Sequence, residues 1–528
     1  MSFLFAPAKD WVATRTFPWP PMFPRTLVPL LAATAALTAK PEKVIVADMA
    51  RYPAAPWVTH GGGWSVNDGT LAVRGGKGPK VSIDGLRLTD FQLDVELLAG
   101  AGAQAGVVFR GDEFGEGVGT FRGYYVGIDA DDGQLLWGAH DPDWRRIASQ
   151  SVGVTSGTWF HLRIQAAGEN VRIFADEKPI TDDSWPVFDG EDDAFAKGGL
   201  ALRALDGEAS FRDLTVQSYR APRLRRSYTN PVQPGAADPV VLLHKGTYYA
   251  YTTYTLASRG RQRGIRLFTS RDLADWKDEG YVLDADDTWG DSKFWAPDIV
   301  EKDGVFYLYY AAEERMCVAT AKSPRGPFRQ QTKAPMEPAS IRIDGHVFED
   351  DDGKRYFYYV AFGDGNEIWG GRLNDDMTSV DESSLRMMVK PDQAWERHQA
   401  AVTEGPEILK HKGIYYLTYS GSHFQSTEYS VGYATSDNPL GPWTKHADNP
   451  VMKSTSYARG SGHHCFTTSP DGTEMFIVYH RHESATRANP RKLSIDRARF
   501  VPNPAGGPDI LQIHGPTTSP QPLPSGAR

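Results

Sequence analysis

The sequence has very little cysteine, no block of basic residues and a net negative charge. Its 528 residues include only 2 cysteines, Cys317 and Cys465, and carry a formal net charge of -9. The two cysteines match no metal-ligand spacing, so we expect unpaired residues of the core. A nucleic-acid-binding protein would need a basic face, which the charge argues against. Neutral sugars remain a compatible class of ligand.

The chain also lacks an apolar run long enough to cross a bilayer. The longest candidate, Thr26 to Ala39, has 14 residues, short of the roughly 20 that a membrane helix needs. It follows Met22-Phe-Pro-Arg25, which gives it the basic start, apolar centre and small residues of a secretory signal. We predict a signal region over residues 1–39 with the true start at Met22, cleavage near Ala36 to Ala39, and a secreted or periplasmic protein. A single membrane anchor is the alternative interpretation.

What the sequence has in quantity favours short strands. It contains 52 glycines, 36 prolines and 12% aromatic residues, which indicates frequent turns and pleated, half-buried segments. Its length exceeds what one ordinary core accommodates. We therefore predict an all-β protein of two domains.

Residues 40–218 read as one β-sandwich. Apolar and polar residues alternate with period two in at least seven segments, such as Phe91–Leu97 and Phe211–Val216, as in half-buried antiparallel strands. Seven or more such strands are typical of a sandwich of the jelly-roll kind. Residues 219–227 combine a proline with a run of charges and are predicted to be a linker, and residues 516–528 a tail.

Residues 228–515 contain a fivefold repeat. Each unit has a tight turn ending in glycine, followed by an aromatic strand; the glycines are Gly246, Gly304, Gly353, Gly413 and Gly472, spaced by 58, 49, 60 and 59 residues. A repeat of this period with about four strands per unit predicts a five-bladed β-propeller. We expect Ile510 to Ile513 to add a closing strand.

Every repeat places an ionisable residue upstream of its glycine. Asp238 lies 8 residues before it, Asp298 lies 6, and Asp344, Glu404 and His463 each lie 9. The first strand of a propeller blade lines the central channel, so we expect these side chains to converge on one axis at the same height. Clustered carboxyl groups raise the pKa of at least one member, which suits a general acid. Two carboxyl groups in different roles are what glycoside hydrolysis requires.

An aromatic residue, Trp295, lies close to Asp298 in the sequence. Aromatic faces stack on sugar rings by dispersion and apolar burial. Trp295 is therefore a candidate for binding substrate, with core packing as the alternative.

Several motifs together resemble glycoside hydrolase family 43, over roughly residues 228–515. They are Asn230-Pro-Val-Gln-Pro-Gly-Ala-Ala-Asp238-Pro, Phe294-Trp-Ala-Pro-Asp298, Ile343-Asp344-Gly-His-Val-Phe348, Asp350-Asp-Asp-Gly-Lys354, Thr403-Glu404-Gly-Pro406, and Gly460-Ser-Gly-His463 followed by Tyr479-His480. The resemblance implies a five-bladed propeller with inverting chemistry and no required cofactor. It makes Asp238 the general base, Glu404 the general acid, and Asp344 the residue that orients Glu404 and holds up its pKa.

The resemblance also implies roles for the remaining candidates. Asp298 would be a fourth axial carboxylate that contacts substrate or its neighbours and transfers no proton. His463 would lie at the channel base, in contact with water or with a central ion such as calcium. Arg491 resembles an arginine that touches the bound sugar, although Arg487 also fits.

The N-terminal unit resembles the laminin-G-like sandwich attached to many carbohydrate enzymes. In family 43 an accessory sandwich more commonly follows the propeller, so its position ahead of it is a departure. It could bind polysaccharide, pack against the propeller, or do neither.

The resemblance to family 43 favours an inverting, exo-acting α-L-arabinofuranosidase on arabinose- or xylose-containing plant cell-wall polysaccharides. A β-xylosidase, an arabinanase and a galactanase are alternatives within the family. A non-catalytic carbohydrate-binding propeller is the alternative from another class. A retaining fructan-type hydrolase is disfavoured, because the Asn-Asp-Pro-Asn-Gly and Arg-Asp-Pro motifs of those enzymes are absent. We predict no nucleic-acid partner and no membrane span.

Overall fold

The structure, a computed structural model, describes residues 45–46, 48–168, 170–176, 188–191, 194–219, 227–255, 263–455, 457–503 and 506–527. The predicted signal region, the start at Met22 and residues 220–226 of the predicted linker lie outside the described residues. The chain divides into two compact units, and the division falls between Tyr219 and Ser227. The described part contains strands and four short 3-10 helices, Met49–Arg51, Ala285–Asp287, Glu382–Ser384 and Ala394–Glu396, and no α-helix.

The N-terminal unit is a β-sandwich, as predicted. Its strands are β1 (Ile45–Val46), β2 (Trp57–His60), β3 (Gly63–Asn67), β4 (Thr70–Arg74), β5 (Lys80–Ile83), β6 (Phe91–Ala99), β7 (Gln104–Asp112), β8 (Arg122–Asp129), β9 (Gln134–His140), β10 (Trp144–Ser151), β11 (Phe160–Ala167), β12 (Asn170–Asp176), β13 (Phe188–Glu191), β14 (Gly199–Leu205) and β15 (Glu208–Ser218).

Two antiparallel sheets form this sandwich. One has the order β13-β12-β11-β6-β15-β4-β3, with β1 added beside β15, and the other has the order β10-β9-β8-β7-β14-β5-β2. Alternate residues of β6, such as Leu93, Val95 and Leu97, are fully buried between the sheets. The period-two pattern of the sequence therefore marks the inward face correctly.

The C-terminal unit is also all-β. Its strands are β16 (Ser227–Tyr228), β17 (Gln233–Pro234), β18 (Ala236–His244), β19 (Thr247–Tyr254), β20 (Gly264–Ser270), β21 (Lys277–Asp284), β22 (Trp295–Lys302), β23 (Val305–Ala312), β24 (Arg315–Ala321), β25 (Arg342–Glu349), β26 (Arg355–Gly363), β27 (Gly365–Arg372), β28 (Arg386–Val389), β29 (Thr403–His411), β30 (Ile414–Gly421), β31 (Ser430–Ser436), β32 (Thr444–Lys445), β33 (Gly462–Thr468), β34 (Met475–Arg481), β35 (Lys492–Val501), β36 (Ile510–His514) and β37 (Gln521–Pro522).

These strands form the five blades that the repeat predicts. The sheets are β18 to β21, β22 to β24, β25 to β28, β29 to β32, and β33 to β35 with β17 and β36. The repeat glycine closes the turn between the first two strands of each blade and has a positive φ, from 70° at Gly246 to 80° at Gly413. Glycine adopts this backbone conformation without a steric cost.

The ring closes through strands from both ends of the propeller. β17, which precedes the first blade, pairs with β35 of the last blade, and β36 pairs with the other edge of β35. The closing strand expected around Ile510 to Ile513 is therefore present. A further short pair joins β16 to β37.

Two sequence expectations concern single features. Cys317 and Cys465 are buried and form no disulfide bond with each other, as predicted. Within the described ranges, no helix is long and apolar enough to cross a membrane.

Candidate functional site

The first strand of every blade carries a β-bulge near its start, where one residue turns back into a left-handed conformation. The residues at this position are Asp238, Ala296, Asp344, Gly405 and His463, with φ values of 46°, 42°, 55°, 57° and 45°. A bulge re-aims its side chain and is frequent beside active sites, and a positive φ is costly for residues other than glycine. The bulge therefore presents Asp238, Asp344 and His463 at the same level of the channel.

Glu404 lies at the same level of the channel, although it is the residue directly before the one with positive φ in its strand, Gly405. The cross-strand partner of Glu404 is Ser420, and the register shifts directly after this pair. Trp295 has the equivalent position in the second blade, since the register there shifts between Trp295 and Asp298. Trp295 is partly buried and packs against the propeller core, with the Lys293 ammonium 5.7 Å from the centre of its ring.

Asp238 is held by one arginine and two histidines. Arg491 donates to both carboxylate oxygens, at 2.6 Å to Oδ1 and 3.3 Å to Oδ2. The Nδ1 atoms of His480 and His463 lie 3.2 Å and 3.4 Å from the same Oδ1. Burial alone would raise the pKa of Asp238, but Arg491, His463 and His480 together hold it well below its usual range. Asp238 is therefore an ionised carboxylate at neutral pH.

Glu404 has the opposite electrostatic character. Burial, with the negative charge of Asp238, raises the pKa of Glu404 to about 7 against the opposing effect of its hydrogen bonds. The Tyr429 hydroxyl donates to Oε1 at 2.8 Å, and the Asn366 amide donates to Oε2 at 3.2 Å. A carboxyl group with a pKa near 7 can hold a proton and release it at neutral pH.

Asp344 is coupled to Glu404. Burial first, and then the charges of Glu404 and Asp238, raise the pKa of Asp344 well above its usual range. Its Oδ2 accepts a hydrogen bond from the main-chain N–H of Gly405, at 3.3 Å, directly beside Glu404. Two buried carboxyl groups this close titrate as a pair. The site thus combines one ionised carboxylate with a pair that retains a proton.

The structure corrects the expected position of Asp298. Asp298 lies two residues after the residue with positive φ in its strand, so its equivalents are Val240, His346, Glu407 and Cys465. It lies one layer deeper in the channel than Asp238 and Asp344, and the expectation of one common height is wrong for it. The sequence contained a sign of this deeper position, because Asp298 lies only 6 residues before its repeat glycine, whereas the other four residues lie 8 or 9 before theirs.

The deeper layer joins neighbouring blades. Asp298 accepts a hydrogen bond from the N–H of Val347 in the third blade, with Oδ2 at 2.7 Å. His346 accepts from Ile408 in the fourth blade, with Nε2 at 3.1 Å. Glu407 continues the pattern and accepts from Phe466 in the fifth blade, with Oε2 at 3.0 Å. Asp298 is 3% exposed, so this buried contact, rather than substrate, is what the structure assigns to it.

A cavity of about 30 Å³ lies in this part of the channel, between the layer of Asp344 and the layer of Asp298. Both ring nitrogens of His464, which lines it, lack a hydrogen-bond partner within the described chain. Calcium takes six to eight oxygen ligands, and the described residues bring together no group of three or more His, Cys, Asp or Glu that could hold a metal ion. His463 itself faces Asp238, so the residues here do not form the expected calcium site.

Some residues of the site escaped the sequence analysis. Asn366 lies on the third strand of its blade and Tyr429 just before the third strand of the next, where the repeat gives no signal. His480 lies on the second strand of the last blade and belongs to a motif of the family resemblance, but no role could be assigned to it from the sequence. Of the two candidate arginines, Arg491 lies in the site, whereas Arg487 is exposed and pairs with Glu483 at 3.5 Å.

Comparison with known proteins gives two family matches. Residues 228–503 match the family model described as "Glycosyl hydrolases family 43". Residues 52–217, the sandwich, match the model described as "3-keto-alpha-glucoside-1,2-lyase-like domain".

Individual relatives agree with the first match. The chain is 30% identical over 306 residues to the β-D-galactofuranosidase xynD of Aspergillus niger. The aligned region covers 54% of this chain and 84% of that protein. A solved structure described as an endo-1,4-β-xylanase from Bacteroides thetaiotaomicron is 38% identical, with a TM-score of 0.50, and covers 56% of this chain and 99% of its own. A thermostable family-43 glycoside hydrolase is 35% identical, with a TM-score of 0.52 and coverages of 57% and 100%.

Proposed function

The chain belongs to glycosyl hydrolase family 43 and hydrolyses O-glycosyl bonds, and from this premise we propose that it is an inverting, exo-acting α-L-arabinofuranosidase. The observation that carries the catalytic part of the proposal is the difference in charge between Asp238 and Glu404. One carboxyl group is held ionised by Arg491, and the other has a pKa of about 7.

In the proposed mechanism Asp238 is the general base. Its ionised carboxylate takes a proton from a water molecule, which attacks the anomeric carbon from the side opposite the leaving group. Arg491 fixes both oxygens of Asp238, and the pKa values of His463 and His480 are lowered by burial, the latter to about 3. The His480 imidazole is therefore neutral at neutral pH, and the ionised carboxylate of Asp238 is the proposed proton acceptor.

Glu404 is the proposed general acid. Its proton passes to the glycosidic oxygen as the bond to the anomeric carbon breaks, so the leaving sugar departs as a neutral alcohol. Asp344 is the proposed partner that fixes the Gly405 main chain and thereby the direction of the Glu404 side chain. Hydrolysis of this kind needs no cofactor, since a water and two carboxyl groups supply the chemistry.

The choice of sugar rests on stereochemistry. The relative from Aspergillus niger is named for β-D-galactofuranose, whose ring has the same configuration as α-L-arabinofuranose and differs by an added hydroxymethyl group. A site for one is therefore close in shape to a site for the other. β-D-Galactofuranoside is accordingly the second candidate substrate, and β-xyloside the third.

A panel of three substrates tests the proposal. The full chain is incubated with 4-nitrophenyl α-L-arabinofuranoside, β-D-galactofuranoside and β-D-xyloside, and release of 4-nitrophenol is measured. We expect the first to be hydrolysed fastest, and Glu404→Gln and Asp238→Asn to lose at least ~10²-fold in turnover. Asp352→Asn, an exposed carboxylate of the same propeller, is the matched control and should be unaffected.

The stereochemical course is measured by NMR of the first-formed product. Inversion gives the β-anomer of arabinose from the α-glycoside, and retention would refute the assigned roles. Faster release from galactofuranoside or xyloside would transfer the specificity to that sugar. Binding of arabinan or arabinoxylan with no release of sugar from any substrate would favour a non-catalytic carbohydrate-binding protein.

The natural substrate proposed is an arabinose-containing plant cell-wall polysaccharide, and the proposed location is extracellular or periplasmic. Support for the location comes from the sequence of residues 22–39 alone. Expression of the full chain, followed by N-terminal sequencing of the exported protein, tests it.

A further inference from the structure

Two exposed apolar side chains lie together at the rim of the third blade. Phe362, at the end of β26, is 53% exposed, and Ile341, one residue before β25, is 42% exposed. Phe362 is the most exposed large apolar residue within the described ranges. Exposed apolar surface at the mouth of a cleft commonly marks a binding site.

Strand register places this pair beside Glu404. Arg342 pairs with Ala361, and Phe362 pairs with Asn366, so Ile341, Phe362 and Asn366 form one row across three strands. Side chains in such a row project from the same face of the sheet, with about 5 Å between neighbouring Cβ atoms. The Asn366 amide reaches Glu404 Oε2 at 3.2 Å, so Phe362 lies next to the residue that contacts the acid.

The exposed pair, Phe362 and Ile341, continues an apolar face whose deeper residues are buried in the propeller core. Ile343, Val360 and Ile368 form the next row on this face and are buried in the propeller core. The same face continues upward past the core into solvent, where Phe362 and Ile341 extend it. The apolar stripe is therefore continuous from the blade interior to the channel mouth.

The two sides of the site differ in what they present. The base side is filled by Arg491, whose guanidinium lies 4.8 Å from the centre of the Phe424 ring. The acid side carries the exposed Phe362. In an inverting reaction the leaving group departs beside the acid, opposite the water held by the base. The leaving group, which is the part of the substrate attached to the cleaved oxygen, therefore lies on the same side of the site as Phe362.

We propose that Phe362, supported by Ile341, is the platform on which the leaving-group sugar of an oligosaccharide or polysaccharide substrate stacks. The proposal rests on the roles of Asp238 and Glu404 given above. A flat aromatic ring suits the apolar face of a pyranose such as a backbone xylose. The ligand of this subsite is thus the first neutral sugar beyond the bond that is cleaved.

The test compares two substrates that share the cleaved sugar and differ in the leaving group. One is a xylo-oligosaccharide bearing an α-L-arabinofuranosyl branch, and the other is methyl α-L-arabinofuranoside, whose methyl group is too small to reach Phe362. For Phe362→Ala we expect kcat/KM to fall on the order of tenfold on the oligosaccharide and to stay within about twofold on the methyl glycoside. Phe362→Tyr, which keeps the ring, should restore the oligosaccharide rate.

Met387→Ala is the matched control. Met387 is 42% exposed and lies on β28, the outer strand of the same blade, so its loss should change neither rate. Equal losses on both substrates for Phe362→Ala would show that the ring supports Asn366 and Glu404 instead, and an unchanged oligosaccharide rate would show that no sugar stacks there. Either result overturns the subsite while wild-type hydrolysis stands. Failure of the wild-type chain to cleave either substrate would overturn the proposed function as well.

Discussion

Replacing Tyr429 by phenylalanine removes one hydroxyl group from the acid side of the site and leaves the ring in place. That hydroxyl donates to Glu404 Oε1 at 2.8 Å and is fully buried. The ring itself stacks on His480, with 5.7 Å between centroids and 8° between planes. Since phenylalanine keeps this stacking, the substitution isolates the hydrogen bond to Glu404.

The expected effect is a rise in the pKa of Glu404. Burial already raises this pKa to about 7, and the Tyr429 hydroxyl is the first interaction that opposes the rise. A hydrogen bond to a charged group is worth about 1.5–3 kcal/mol, and one pKa unit corresponds to about 1.4 kcal/mol. Loss of the bond should therefore raise the pKa of Glu404 by roughly one to two units.

The assay is the pH dependence of kcat/KM. A general acid must be protonated, so activity is lost as pH rises through the pKa of Glu404, and the alkaline limb for Tyr429→Phe should move to higher pH by at least about one unit. Tyr419→Phe is the matched control, because the Tyr419 hydroxyl donates to a different buried carboxylate, Glu396 Oε1, at 2.7 Å. An alkaline limb that stays in place or moves to lower pH in Tyr429→Phe would refute the assignment of Glu404 as the acid held by this bond.

Three further substitutions test other parts of the structure. Arg491→Lys loses the two-point contact with Asp238, so the pKa of Asp238 should rise and the acidic limb of the rate profile should move to higher pH, since a base must be ionised. Gly462→Ala would place a methyl group 2.5 Å from the ring of Tyr429, so turnover should fall about tenfold or more, measured with the fold checked by circular dichroism. Lys445→Met removes the cation, 2.7 Å away, from a fully buried glutamate, and should lower the free energy of unfolding by about 3–5 kcal/mol in denaturant titrations.

Two of these substitutions, Arg491→Lys and Lys445→Met, each have a counterpart that should show little effect. Arg487→Lys changes an exposed arginine near the same strand and should leave the acidic limb unchanged. Lys412→Met removes an ion pair whose lysine side chain is 69% exposed, so the free energy of unfolding should change by less than about 1 kcal/mol. Equal effects in a variant and its counterpart would count against the specific contacts assigned here.

The blade count and the strands were predictable from the sequence because both depend on local chemistry. A turn that needs a positive φ takes a glycine at its end, as at Gly246 and Gly413, and an aromatic strand follows it. This pattern survives in every repeat and gives the five blades. The alternation in the sandwich is equally local, since strands such as β6 bury every second residue.

The level of each side chain in the channel was not predictable in the same way. It depends on where the bulge falls, and nothing in the residue types marks Ala296 rather than Asp298 as the residue with positive φ. The sequence therefore predicted Asp298 one layer closer to the channel mouth than the structure places it. The contacts of Glu404 with Asn366 and Tyr429 were missed for a related reason, because they join separate strands whose approach the repeat does not encode.

The hydrogen bonds of the deeper channel layer bear on how the ring of blades is held together. Asp298, His346 and Glu407 tie the second blade to the third, the third to the fourth and the fourth to the fifth. The equivalent residue of the fifth blade is Cys465, and that of the first is Val240, which has no polar side-chain atom. The seam between the last blade and the first is closed by β17 on β35 and by the contacts of Asp238 with His480 and Arg491. Asp238, the proposed base, therefore also helps to close the ring. A propeller that begins to open at this seam would lose its hydrolytic activity before its other blades lost their packing.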